Sequence, residues 1–82
     1  MSLSDDIRKF VFENYIRLAR EKGQNAVKIR SGDIHSQLKY SNRLPAVCSA
    51  IGTNKFQEEY SVKLIEREGP SNGANMYFTF EI

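Results

Sequence analysis

Residues 62–82 read VKLIEREGPSNGANMYFTFEI, and this stretch decides the fold class of the 82-residue chain. Met76, Phe78, Phe80 and Ile82 alternate strictly with Tyr77, Thr79 and Glu81, the period-two pattern of a strand with one apolar face. Residues 62–68 read as a second strand. Between the two, residues 69–75 read GPSNGAN, which gathers the residue types that interrupt regular structure and form turns. The chain therefore ends in a β-hairpin with a long tip.

Upstream of the hairpin the pattern changes to that of helices. Ser4 followed by Asp5 and Asp6 is a helix start, because an oxygen can cap free N–H groups and acidic residues are favoured by the helix dipole. The helix is expected to run to about Lys22, where Gly23 supplies a left-handed stop. Ile7, Phe10, Val11, Tyr15 and Leu18 form one apolar stripe toward a core, while Phe12, Ile16 and Ala19 fall on the opposite side. The second stripe reads as packing between other elements or, more sharply, as a homodimer face through Phe12 and Ile16.

Val27 and Ile29 alternate with Lys28 and Arg30, which suits a short, half-buried strand completing a three-stranded sheet with the hairpin. Ser31 is then the expected N-cap of a short helix over about 32–39, with Ile34 and Leu38 inward and His35, Gln37 and Lys39 toward solvent. Tyr40, Ser41 and Asn42 interrupt it with turn chemistry, and Pro45 suits the first turn of a following helix. In that helix Leu44, Val47, Cys48 and Ile51 make a single apolar stripe ended by Gly52. Asn42, Arg43, Ala46, Ser49, Ala50 and Thr53 are left outward. Asn54 with Gln57 starts one further turn of helix that carries Phe56 and Tyr60 inward.

Length and composition bound the function. A chain of 82 residues holds one small domain over 1–82, too small for a large catalytic cleft, with residues 1–3 compatible with a leader. Cys48 is the sole cysteine, so no intramolecular disulfide and no cysteine-based zinc site can form, and its place in the apolar stripe marks a buried small hydrophobe. Without a membrane-length apolar run or a signal-peptide pattern, a cytoplasmic protein is expected. The net charge of +2 is unevenly spread. Residues 1–21 are balanced; residues 22–55 carry six basic residues against Asp33 alone, a net +5; residues 56–82 carry two against five acidic ones, a net −3. Positive charge is thus concentrated in the short strand and the two central helices, where an anionic partner would be met.

Catalytic constellations are weak. Asp33, His35 and Ser36 include the residue types of a hydrolytic triad, but at this spacing on a short helix their side chains do not converge. One histidine provides no metal site, and residues 69–73 lack the lysine and following helix of a phosphate-binding loop. A non-enzymatic protein without cofactor or metal is expected.

The order of elements, a long helix, a short strand, two helices split by a Ser-Asn turn, and two strands joined by a Gly/Pro/Asn loop, resembles the winged helix-turn-helix superfamily. The resemblance covers about residues 5–82 and rests on topology and turn residues rather than on a residue motif. It implies an α+β winged helix, a three-helix core with a small antiparallel sheet, and double-stranded DNA as partner. By that resemblance Asn42, Arg43, Ser49 and Thr53 face the major groove, Lys28, Arg30 and Lys39 lie on phosphates, and Asn54 and Lys55 extend the surface beyond the recognition helix. Asn72 and Asn75, with Arg67 at the stem of the wing, reach an adjacent groove. The stem also carries Glu66 and Glu68, and the tip has no Lys or Arg, so the basic helical surface rather than the wing is expected to supply most of the affinity. The implied function is that of a small prokaryotic-type regulator or the DNA-targeting module of a larger protein. The alternative is a winged helix for protein association, docking through the small residues Ala46 and Ala50 or through Phe12 and Ile16.

Overall fold

Ser2, rather than Ser4, starts the first helix: in the computed structural model, which describes residues 2–70 and 73–82, its hydroxyl accepts the Asp5 N–H at 3.1 Å. Helix α1 then runs without a break through an α-helical part, Leu3–Val11, a π-helical turn, Phe12–Ile16, and a second α-helical part, Arg17–Glu21. The wide turn is marked by the Arg17 N–H, which donates to the Phe12 carbonyl five residues back, and by the Asn14 amide, which donates to the Phe10 carbonyl at 2.9 Å. One extra residue in a turn rotates everything after it by roughly 100°. The core residues of α1 are consequently Ile7, Val11, Ile16 and Ala19, and the two stripes of the sequence merge into one. Tyr15 is left half-buried and Leu18 exposed.

This corrects the idea of a homodimer face through Phe12 and Ile16. Ile16 is 0 % exposed within its own chain, and Phe12 stacks on Tyr60 with ring centroids 4.5 Å apart. The same geometry yields a test. Deleting the exposed Asn14 should convert the π turn to an α turn and leave Ile7, Val11, Ile16 and Ala19 in phase, so the variant is expected to keep a cooperative melt within a few degrees of wild type. A molten or unfolded product, by circular dichroism and calorimetry, would contradict the account.

Gly23, at φ +75°, ends α1: its N–H bonds the Arg20 carbonyl and the Gln24 N–H bonds that of Ala19. The chain then forms β1, Ala26–Arg30; α2, Ser31–Gln37; α3, Leu44–Ile51; α4, Asn54–Tyr60; β2, Lys63–Glu68; and β3, Tyr77–Glu81. The three strands make one antiparallel sheet in the order β1-β3-β2, with Ile29 opposite Phe78 and Val27 opposite Phe80. The class is α+β, and the order of helices and strands is compatible with a winged-helix arrangement. Helix α4 is longer than the single turn expected. It buries Phe56, while its Gln57 accepts the Leu64 N–H at 3.0 Å and so ties the helix to the start of β2. Among the described residues no helix is long and apolar enough to cross a membrane.

Ser31 is not the expected N-cap. It is fully buried, its N–H donates to the Met76 carbonyl at 2.9 Å, and its hydroxyl donates to the Gly73 carbonyl at 2.6 Å. The Gly32 N–H donates to the Ala74 carbonyl at 2.9 Å. Backbone carbonyls of the segment leading into β3 thus satisfy free N–H groups of α2 and dock the base of the β2–β3 hairpin against that helix. A Cβ at residue 32 would stand 2.7 Å from the Ala74 carbonyl oxygen, so glycine is required for that approach.

Candidate nucleic-acid interface

Helix α2 ends in a left-handed residue, Lys39 at φ +58°, with the Tyr40 N–H on the His35 carbonyl and the Lys39 N–H on that of Ser36. A second left-handed residue, Asn42 at φ +56°, completes the turn. His35 is not simply solvent-facing, as the sequence implied. Its Nε2 accepts the Arg43 N–H at 3.0 Å, so the imidazole satisfies a free donor at the start of α3 and sets the angle between the two helices. Asp33 is bonded instead to Arg30 at 2.8 Å, and Ser36 is exposed, so the Asp33, His35 and Ser36 side chains serve separate ends.

Helix α3 buries Val47, Cys48, Ala50 and Ile51. Ala50, expected outward, is 1 % exposed and belongs to the core, so the small-residue docking surface proposed around Ala46 and Ala50 is reduced to the half-buried Ala46. Ser49 is exposed on α3, one turn after the half-buried Ala46; Lys39, Asn42 and Arg43 are exposed in the turn before the helix, and Thr53 is exposed just past its end. No carboxylate pairs with Lys39 or Arg43 among the described residues.

The other basic residues of the segment are differently placed. Lys28 lies opposite Thr79 on the solvent face of the sheet, the face away from the helices. Its ammonium is 3.3 Å from Glu68 and 5.1 Å from the centre of the Tyr77 ring. Arg30 is bonded to Asp33 and also donates to the Asn75 carbonyl oxygen of the side chain at 3.0 and 3.1 Å, bracing the wing. Lys55 is 3.9 Å from Asp5, and Asn54 accepts a bond from Gln57. Lys28 and Arg30 are therefore each paired with a carboxylate, unlike Lys39 and Arg43. Asn72 lies outside the described residues.

The acidic stem is resolved by a bulge. Leu64 pairs with Phe80 but Glu66 pairs with Thr79, so Ile65 is an extra residue that the partner strand does not match. Past the bulge the faces exchange: Glu66 and Glu68 stand beside Thr79 and Tyr77 on the solvent face, and Arg67 stands beside Phe78 on the inner one. Both glutamates are thus turned away from α3. A hydrogen bond with Glu66, and then the Lys28 ammonium, hold the Glu68 carboxyl below its ordinary range. Arg67 does not reach outward from the wing. It lies over the Phe78 ring and donates to the Gly52 carbonyl at the end of α3. A period-two reading cannot find this, because Leu64 and Ile65 are both apolar and nothing in the letters marks which one is extra. No family model matches the chain, and no curated protein or solved structure matches it.

Proposed function

We propose that the chain is a DNA-binding winged-helix domain whose duplex contacts come from α3 and the turn before it, as a small regulator or as the targeting module of a larger protein. One observation carries this reading. The exposed Ser49 of α3, with the exposed Asn42 in the turn before the helix and Thr53 just past its end, stands in one segment with two exposed basic side chains, Lys39 and Arg43, that no carboxylate neutralises among the described residues. Hydroxyl and amide groups can read base edges or bind phosphate, and arginine can take a guanine edge through two parallel hydrogen bonds. The turning of Glu66 and Glu68 to the far face of the sheet supports it further, since carboxylates beside the phosphate backbone would oppose binding. Arg43 is assigned to base reading and Lys39 to phosphate.

Selection from a random duplex pool tests this. A preferred site should emerge, and Arg43→Ala should cost about 1–3 kcal/mol on that site and much less on random DNA. Equal losses on both would make Arg43 a phosphate contact. No enrichment at low salt would turn the assignment to protein association.

A further inference from the structure

His35 is the single histidine of the chain, and it closes the turn between α2 and α3 from both its backbone and its ring. Its carbonyl accepts the Tyr40 N–H at 3.1 Å, its Nε2 accepts the Arg43 N–H at 3.0 Å, and the Tyr40 ring stands edge-on to the imidazole with centroids 6.3 Å apart. Arg43 is the N-cap of α3. Its own side chain caps nothing, and Pro45 removes one donor from the first turn, so the imidazole is the side chain that tethers the start of this helix. The turn it tethers holds two residues other than glycine in the left-handed region, Lys39 at φ +58° and Asn42 at φ +56°. Such a backbone persists where its surroundings hold it.

A ring nitrogen accepts a hydrogen bond only while it carries no proton. With Nε2 as the acceptor, the neutral ring keeps its proton on Nδ1, and a second proton turns Nε2 into a donor aimed at another N–H. No carboxylate stands within ion-pair reach of the imidazole among the described residues. The turn carries Lys39, Tyr40 and Arg43, and α3, packed against α2, carries the Cys48 thiol and no charge. Strand β1 brings Lys28 and Arg30, bonded to Glu68 and Asp33, and α1 meets α2 through Tyr15, whose hydroxyl accepts from Gln37. Both acids of this group are already paired, so none offers the imidazolium a counter-charge. We infer that His35 is a proton-operated latch: the neutral imidazole holds the start of α3 in place, and the imidazolium releases it. Histidine is the side chain that exchanges charge between about pH 5 and 8. Release acts on the surface assigned to DNA, because Asn42 and Arg43 belong to the latched turn. That coupling rests on the proposed function; the latch itself does not.

The test is NMR of the isotope-labelled protein, without DNA, at about pH 8 and about pH 5. The nitrogen–nitrogen coupling across the hydrogen bond between the Arg43 amide and His35 Nε2 should be resolved at the higher pH and vanish at the lower. Hydrogen exchange, corrected for its intrinsic pH dependence, shows whether the helix start is released with it. Protection of the Val47 amide, which donates to the Arg43 carbonyl at 3.0 Å, should fall by roughly two- to tenfold, the share of one hydrogen bond. That of Gly52, on the Cys48 carbonyl at the other end of α3, should hold. Absence of the coupling at about pH 8, or a loss of Val47 protection no greater than that of Gly52, would overturn the inference. With DNA, the affinity ratio of a selected site to a random duplex should shrink at about pH 5 in the wild type. It should stay constant in His35→Gln, whose amide oxygen takes the place of Nε2 and accepts at any pH. An unchanged ratio in the wild type would overturn the coupling to DNA and leave the latch standing, and the wild-type NMR comparison decides the latch even if His35→Gln does not fold or no DNA is bound.

Discussion

Phe56→Ala is expected to remove about 3–5 kcal/mol of stability, the range for truncating a buried phenylalanine that leaves a cavity behind. Phe56 is fully buried and stands between two halves of the molecule: its ring is 5.1 Å from that of Phe80 in the sheet and 5.5 Å from that of Tyr60, which in turn stacks on Phe12 of α1. The cluster joins α1, α4 and the sheet, so neighbouring side chains cannot close the gap without moving an element. Domains of this size are stable by about 5–15 kcal/mol, and each kcal/mol shifts Tm by several degrees, so a drop of about 15 °C or more is expected. A calorimetric Tm within about 5 °C of wild type would show that Phe56 does not bridge the core.

Gly69→Ala should be the most damaging change outside the core. Residue 69 holds φ +101°, beyond the left-handed well that other residues tolerate, and an added Cβ would stand 2.2 Å from the Asn75 carbonyl oxygen. That oxygen is backbone, so the clash is not relieved by rotating a side chain. The expected cost is about 2–4 kcal/mol, and the wing base must shift. Because Asn75 accepts two bonds from Arg30, the displacement should also be seen in the amide resonances of β1. A destabilisation under about 0.5 kcal/mol by urea titration, with unchanged β1 resonances, would refute it.

Both positions show what the letters reveal. The hairpin, the helical stripe of α3 and the Gly23 stop are local signals, carried by residue spacing and by the one residue type that enters positive φ freely, and they were legible. The π turn of α1 and the bulge at Ile65 were not, because each inserts one residue into a periodic pattern and is stabilised by packing with distant elements. The first puts Ile16 in the core rather than on a partner face, and the second puts Glu66 and Glu68, whose facing the sequence left open, on the face opposite to the one that Arg67 shares with α3. The exposure of Ser49 was legible from the helix period of α3, while Asn42, Arg43 and Thr53, read as outward positions of that helix, are exposed in the flanking turns instead. The candidate site was not legible where it depended on ion pairing across the sheet: Lys28 and Arg30 count as basic in sequence, but their carboxylate partners Glu68 and Asp33 are fixed by the fold.

That distinction supplies the direct measurement of the central claim, that α3 and its preceding turn form the DNA surface. Fluorescence anisotropy of a labelled random duplex, titrated at several salt concentrations, gives the slope of log K against log salt, which falls by roughly 0.9 for each phosphate contact removed. Replacing both Lys39 and Arg43 with alanine should flatten the slope by roughly 0.9, the share of the Lys39 phosphate contact, whereas Lys28→Ala, on the opposite face of the sheet, should leave it unchanged. An unaltered slope in the double variant, or a flattened one in Lys28→Ala, would contradict the account.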